Sequence, residues 1–383
     1  MYDAIIIGAG PSGLMAGIQC HKKVLIIEKN SNAGKKLLLT GGGRCNLTNK
    51  KDLNTFLENV NHNKKYLYST INTFGPKEIM LFFEQKNVKL KQEEDGKIFP
   101  VANKSFVILE ALLNSYKGDI HFNEEVIGLE KGKVITNKNI YETKKIIIAT
   151  GGLSFPQTGS TGDNLKFAKM IKQPITNVYP AEVSINLIDP PNIPGTSIDN
   201  VLVKCGKIIK EGNLIYTHNG LSGTSVMLMS EHIFKEKYKE IEIDNIPYQS
   251  EEILAFKIKN FDQEKEIHTF LSTIFSKKYS DFILEKANIK RETKIKQLGK
   301  KNTIYIINIL KHMKYSIKSV ESLKNAYVTG GGIDMKFINS KTFESTINPT
   351  FYFIGEALDI HGPIGGYNLT LALSTGYSAG KDL

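Results

Sequence analysis

The chain has 383 residues, 41% of them hydrophobic and 23% charged, with 50 Lys and Arg set against 39 Asp and Glu. Such a length buries the cores of two or three domains, and no apolar run approaches the roughly 18 residues that suggest a membrane span. Cys20, Cys45 and Cys205 are widely spaced, form no C-x-x-C and make no ligand grouping with the histidines, which argues against a disulfide framework or a metal site. The folding pattern starts near residue 3, leaving no room for a secretory leader, so a reducing, cytoplasmic compartment is expected.

Residues 4–7 form an apolar run of strand length that enters Gly8-Ala9-Gly10-Pro11-Ser12-Gly13, and residues 14–18 continue with helical spacing. A second apolar run, residues 24–27, ends on Glu28 and is followed by Lys29. This is a βαβ unit with a G-x-G-x-x-G turn. Gly8 permits the tight turn, Gly10 lets backbone N–H groups approach a pyrophosphate, and Gly13 lets helix and strand pack closely. The helix N-terminus supplies orphan N–H donors and partial positive charge for phosphate. Glu28, twenty residues beyond Gly8, is placed to accept hydrogen bonds from a ribose hydroxyl pair.

A glycine and cation cluster follows at residues 34–48. Residues 51–117 read as mainly helical, interrupted by a turn and short strand at 95–100. Short β-rich runs with turn signals fill 121–150 and end in Ala149-Thr150-Gly151-Gly152, a buried strand emptying into a glycine turn. A meander before a returning parallel strand is a common elaboration of dinucleotide folds that hold FAD. Residues 181–247 break into short strands between prolines and glycines, the pattern of a small barrel. From 250 to 318 proline is absent and helical spacing dominates, with Ile253, Leu254, Phe256, Ile258, Phe270, Leu271, Ile274, Phe275, Phe282, Ile283 and Leu284 as expected core.

Charge concentrates late in that helical segment. Residues 286–318 hold ten Lys and Arg against Glu292 alone, a local balance of +9. Such a block attracts a polyanion such as RNA by counterion release. A solvated helix surface in a lysine-rich protein is the competing reading.

The C-terminal stretch repeats the logic of the first turn. A strand ends at Gly355-Glu356, a glycine-rich loop carries His361, Gly365 and Gly366, and a helix opens with Tyr367-Asn368-Leu369. A helix N-terminus aimed at a flavin ring would stabilise negative charge on the reduced ring by about 1 kcal/mol. Two phosphate-like turns at opposite ends of the chain, with the third at Thr150-Gly151-Gly152, favour one large cofactor spanning both ends.

The stretches G-K-K-L-L-L-T-G-G-G-R-C-N-L-T-N, A-T-G-G-L-S-F-P-Q-T-G-S-T-G-D, T-H-N-G-L-S-G, V-T-G-G-G-I-D and G-E-A-L-D-I-H-G-P-I-G-G-Y-N-L stand in one order along nearly the whole chain. In them the sequence resembles the HI0933-like flavoprotein family. The resemblance implies a two-dinucleotide-binding-type FAD fold with an inserted barrel and an inserted helical domain. It further implies an oxidoreductase, in a family associated with reduction of conjugated enones and of uridine in 23S rRNA. Carried over by position, Gly8, Gly10, Ser12 and Gly13 would hold the pyrophosphate and Glu28 the adenosine ribose. Lys36, Thr40, Arg44 and Asn46, with Gly41 and Gly43 between them, would lie along the cofactor. Val126 would meet adenine through its backbone. Gly355, Glu356, Gly366, Asn368 and Leu369 would close around ribityl and flavin.

Hydride transfer to a polarised C=C bond also needs a proton donor. Cys45 is one candidate, its thiol tuned by adjacent Arg44; a small residue packed beside the cofactor is the competing reading. His361 and Tyr367, in the glycine-rich loop, are the other two. No second G-x-G-x-x-G lies in a βαβ frame, so NAD(P)H is expected only as a transient donor, without a domain of its own.

The expectation is therefore an α/β protein: a Rossmann-like FAD domain at residues 1–180 and 325–383, a β-barrel-like domain at 181–248 and 319–324, and a basic helical insert at 249–318. The expected activity is FAD-dependent reduction of a carbonyl-conjugated C=C bond. A uracil base of 23S rRNA, held through 286–318, is the favoured substrate. A small-molecule enone reductase and a non-catalytic, flavin-carrying RNA-binding protein are the alternatives.

Overall fold

The apolar run nearest the amino terminus becomes an inner strand of the main sheet, paired in parallel along both edges and buried on its faces, as parallel sheets with helical crossovers require. This is β1 (Tyr2–Ile7), in which Ile5, Ile6 and Ile7 are buried. α1 (Pro11–Gln19) opens on a proline, whose missing N–H has no partner to lose at that position. β2 (Val24–Ile27) then lies parallel to β1, with Ala4 opposite Val24 and Ile7 opposite Ile27. The structure, a computed structural model, describes residues 1–60 and 62–383.

Short helices dominate the next stretch, as their spacing predicts: α2 (Lys35–Leu39), α3 (Leu53–Glu58), α4 (Tyr68–Thr73), α5 (Pro76–Gln85) and α6 (Phe106–Ser115). Among them β3 (Thr48–Asn49), β4 (Leu90–Gln92) and β5 (Lys97–Pro100) pair into a small antiparallel sheet, of which sequence indicated only the last strand. β6 (Asp119–His121) extends the main sheet beyond β2. β7 (Val126–Glu130) and β8 (Lys133–Thr136) form a meander with the first half of β9 (Ile140–Ile148). The second half of β9 runs parallel to β1, with Ile148 opposite Ile7. The helix α7 (Asp163–Met170) follows, and β10 (Tyr179–Ala181) leads out of this part of the chain.

The chain divides into two compact units, residues 1–179 with 323–383, and residues 180–322. In the second unit β11 (Ile185–Leu187), β12 (Ser197–Cys205), β13 (Ile208–Tyr216), β14 (Gly220–Ser222), β15 (Glu240–Asp244) and β16 (Met313–Val320) close a barrel in the order β11-β14-β13-β12-β15-β16. α8 (Thr224–Glu236) packs on β12 and β13. Between β15 and β16 come α9 (Glu251–Lys259), α10 (Ile267–Ser272), α11 (Lys277–Ala287) and α12 (Gly299–Lys311).

Two local expectations change here. Helical spacing predicts helix through Lys318, but the helix ends at Lys311. Met313, Tyr315 and Ile317 are buried while Lys314, Ser316 and Lys318 face out, and that period of two makes a barrel strand. Of the expected helical core, Leu254, Ile258, Phe270, Leu271, Ile283 and Leu284 are buried, whereas Ile253, Phe256 and Ile274 are exposed.

Returning to the first unit, the chain forms β17 (Val328–Gly330) and then β18 (Phe351–Phe353), which lies parallel to β9 with Phe353 opposite Ile148. The closing helix, α13 (Tyr367–Asp382), packs along α1. The seven-stranded sheet reads β6-β2-β1-β9-β8-β7, with β18 also on β9. Among the described residues no helix is long and apolar enough to cross a membrane.

Candidate functional site

The first unit brings its two terminal glycine loops together. Gly8 has φ +107°, and a Cβ there would stand 2.6 Å from the Ala149 carbonyl oxygen, so the strand-to-helix turn admits only glycine without strain. No side chain caps the N-terminus of α1, which leaves the N–H groups of Ser12 and Gly13 without a capping acceptor. Beside Gly10 the space is open, with nothing within 4 Å of where a Cβ would lie. α13 crosses α1 so closely that a Cβ on Gly376 would fall 2.3 Å from the Ser12 carbonyl oxygen. Gly355, at the end of β18, sits against the Ser12 side chain, and its N–H donates to Thr375 Oγ1 at 2.9 Å.

Glu28 is buried at the end of β2. Its carboxylate accepts from the Ala9 N–H at 2.8 Å, and from the Asn30 N–H and side-chain amide at 2.9 and 2.8 Å. These bonds fix the carboxylate beside the glycine turn. The Glu124 N–H donates to the Glu28 carbonyl at 3.1 Å, and the next turn of chain starts β7 at buried Val126, so the ribose and adenine candidates adjoin. Lys29 pairs with Asp163 at 2.7 Å.

A second cluster joins the turns that follow Gly152 and Gly355, through Lys36 of α2 and Thr329 of β17. The Lys36 ammonium contacts Glu356 and Ser154, each at 2.5 Å, while Ser154 Oγ donates to Glu356 at 2.6 Å and the Thr329 N–H at 2.9 Å. Burial opposes the charge on Glu356, yet the Lys36 ammonium and the donors from Ser154 and Thr329 outweigh it and hold the carboxyl below its usual range. Thr329 Oγ1 also accepts the N–H groups of Leu153 and Ser154, which shapes the turn after Thr150-Gly151-Gly152. Sequence reading named Lys36 and Glu356 but missed Ser154 and Thr329. Nothing local links them to the site.

The cation loop behaves differently from expectation. Arg44 makes a two-pronged contact to Glu93 at 2.9 and 3.1 Å and lies over the Phe99 ring at 4.2 Å. It does not tune Cys45. The Cys45 thiol is sealed from solvent, and burial, only partly offset by a hydrogen bond with Thr40, pushes it up to about 12. A thiol in that environment is a poor candidate for redox or acid chemistry, and packing is its role here. Thr40 spends its hydroxyl on the Leu37 carbonyl at 2.7 Å. Gly41 and Gly43 supply left-handed backbone around the turn.

The remaining two acid candidates are also inside the protein. Tyr367 stacks on Phe56 with ring centres 4.6 Å apart, and burial pushes its hydroxyl up to about 12. His361 is fully buried. Its strand-like partner is His62, and the two rings stack with centroids 6.0 Å apart. His62, which sequence reading passed over, is 35% exposed and places Nε2 at 3.2 Å from Asp359 Oδ2. Burial pushes the Asp359 carboxyl up, but the hydrogen bond and charge of His62 outweigh this and hold it below the usual range. The Asn63 amide donates to the Asp359 carbonyl at 2.7 Å and pins the segment to the C-terminal loop. Asn368 pins that loop too, exchanging hydrogen bonds with the Gly362 backbone at 3.0 and 2.8 Å. The Gly365 carbonyl accepts from Asn49 at 3.2 Å, Gly366 lies against the Thr48 backbone, and Leu369 packs on the core.

In the second unit the lysine block is less open than its count implies. Lys294 and Lys296 pair with Glu264, Arg291 with Asp281, Lys311 with buried Asp244, and Lys314 with Glu240. Lys286 lies over the Tyr315 ring. These acids fall outside residues 286–318, so folding cancels much of the +9 read along the chain.

The model of the HI0933-like protein Rossmann domain matches residues 2–382. The chain belongs to this family. An FAD-dependent oxidoreductase of the HI0933-like family is thus what the glycine loops serve, with FAD as the cofactor. The residues present fit a dinucleotide. The uncapped start of α1 opens onto clear space at Gly10, and the buried oxygens Asn46 Oδ1 and Thr150 Oγ1 have no hydrogen-bond partner within the chain. The chain is 27% identical over 394 residues to the ribosomal RNA dihydrouridine synthase of Haemophilus influenzae, covering 98% of this chain and 97% of that protein. It is 30% identical over 403 residues to the 3-dehydro-bile acid delta(4,6)-reductase of Clostridium scindens, again covering 98% and 97%. Among solved structures, a flavocytochrome c3 fumarate reductase aligns with a TM-score of 0.51 at 15% identity, over 100% of this chain and 78% of that one. A 3-ketosteroid delta1-dehydrogenase from Sterolibacterium denitrificans gives 0.51 at 12% identity, over 100% and 99%. These two show the HI0933-like chain's fold.

Proposed function

We propose that this protein reduces a C=C bond conjugated to a carbonyl, and that its substrate is a uracil base of 23S ribosomal RNA, in the cytoplasm. The observation that carries this reading is the end-to-end match to two proteins named ribosomal RNA dihydrouridine synthase, from Haemophilus influenzae and, at 26% identity over 400 residues, from Escherichia coli. FAD, when reduced and bound, supplies a hydride. The chain's own residues do the rest. The first glycine turn and the start of α1 bind the pyrophosphate, and Glu28 holds the ribose. Thr150, Gly151, Gly152, Lys36 and Glu356 lie along the cofactor beyond the pyrophosphate. His62, whose Nε2 lies 3.2 Å from Asp359, is the proton donor to the carbon beside the carbonyl. The base must be unstacked, because a stacked one cannot enter such a site.

Two observations favour a second reading. The bile-acid reductase is the most identical of the relatives named above, and internal pairing of the lysine block weakens the charge argument for RNA. A small-molecule enone reductase is that alternative. Deleting the gene and measuring dihydrouridine in 23S rRNA tests the choice. Loss of the modification, restored by the wild-type gene, supports the RNA substrate. An unchanged rRNA profile refutes it.

A further inference from the structure

Two side chains with the spacing of core residues, Ile253 and Phe256, instead stand on the open side of α9, 47% and 67% exposed. The neighbouring helix α12 repeats this with Ile304 and Tyr305, 56% and 47% exposed. Each helix has its own buried side, Leu254 and Ile258 on one, Ile306, Ile307, Ile309 and Leu310 on the other, so the exposed set is surplus to the core. The helices are antiparallel neighbours. His312, just past α12, meets Glu251 at the start of α9 at 3.2 Å, while the Lys296 N–H ahead of α12 reaches the Gln263 carbonyl just past α9 at 3.3 Å.

That order brings the end of α9 to the start of α12, and with it Lys259 to the same end as Lys300 and Lys301. Among the described residues none of these three has a carboxylate within ion-pair distance, unlike Arg291, Lys294 and Lys296 nearby. Lys301 lies one turn before Tyr305, and Lys259 one turn after Phe256, so each cation shares a helix face with a ring. Flat exposed rings beside unpaired cations suit a ligand that has both stacking faces and regular negative charge, which is a single nucleic-acid strand.

Resting on the RNA reading above, we propose that the outer face of α9 and α12 is the platform for a single-stranded stretch of RNA. Bases stack on Phe256 and Tyr305, and phosphates meet Lys259, Lys300 and Lys301. A base–ring stack is sequence-tolerant, so this face supplies affinity and leaves the choice of nucleotide to the flavin site.

The test is a fluorescence-anisotropy titration of the FAD-loaded full chain with an unstructured, uridine-rich RNA oligonucleotide at several salt concentrations. Removing both rings (Phe256→Ala with Tyr305→Ala) is expected to weaken binding at least about fivefold per ring. Replacing Lys300 and Lys301 by Gln should flatten the slope of log affinity against log salt by about 1.4. A control at an exposed ring of the first unit, Tyr68→Ala, should bind as wild type. If wild type binds RNA with a salt dependence but the ring variant matches it, the platform is refuted while the RNA substrate stands. If wild type does not bind RNA at all, both fall. If the ring variant instead changes oligomeric state by light scattering with RNA affinity intact, the face is a self-association surface and the platform is refuted.

Discussion

Asp359 Oδ2 lies 3.2 Å from His62 Nε2, although 297 residues separate them along the chain. The contact ties partly exposed His62, which precedes α4, to the C-terminal loop, while His361 of that loop is shut inside. Replacing His62 by Asn is expected to slow substrate reduction by about 100-fold or more, the usual range for a lost proton donor. Asp359→Asn should lower the rate in the same direction, by less. Bound flavin absorbance should stay at the wild-type ratio in both. Rates near wild type in His62→Asn would remove this residue from the chemistry.

Cys45 is predicted to be inert. A thiol pushed up to about 12 by burial is protonated at working pH, and all three cysteines are buried. The native protein should show no thiol reactive towards a disulfide reagent at pH near 8, and three after unfolding. Cys45→Ala should retain turnover, lowering thermal stability rather than rate.

Gly376 carries the approach of α13 to α1. A methyl group there meets the Ser12 backbone at 2.3 Å, and backbone cannot swing aside. Gly376→Ala should cost about 1–3 kcal/mol or more by overpacking. Because Ser12 belongs to the first glycine turn, flavin retention on gel filtration should fall along with the melting temperature.

Two carboxyls and one histidine set opposite pH dependences. The folded-state values of Glu356 and Asp359 lie below their ordinary 4.5 and 3.8, so their stabilisation is complete above those values and is lost as pH falls further. Glu356→Gln should reduce stability at neutral pH by about 1–3 kcal/mol, the worth of hydrogen bonds to a charged group, and by progressively less in acid. His312 is held above its ordinary 6.5 by its hydrogen bond to Glu242, which with Glu251 outweighs the opposing effect of burial. Its contribution is present below 6.5 and disappears as pH rises past the folded value. His312 is 40% exposed and Glu242 24%, so solvent screening keeps the effect below about 1 kcal/mol. Denaturant melts of His312→Asn against wild type, compared between pH 6 and 9, measure it: the difference should shrink as pH rises.

The βαβ unit, its glycine turn, the acid at the end of β2, the meander and the C-terminal glycine loop were all legible along the chain. Each depends on contacts between residues close in sequence, where strand and helix periods and the steric needs of glycine leave a visible spacing. The small sheet β3-β5-β4 was largely invisible, because strands of two to four residues carry too short a period to detect. The strand Met313–Val320 was readable from its alternation, but the long helical run before it masked the change of period.

What the sequence determined by itself is the fold family and the cofactor class, since phosphate binding at a helix start needs only a local order of residues. Tertiary structure decided which side chains can react. It buried Cys45, His361 and Tyr367, left His62 partly open beside Asp359, and gave Lys294, Lys296, Lys311 and Lys314 of the basic segment an acid from elsewhere in the chain. Burial and ion pairing arise from partners tens to hundreds of residues away, so no local pattern records them, yet they set both the charge a group carries and whether a substrate can reach it.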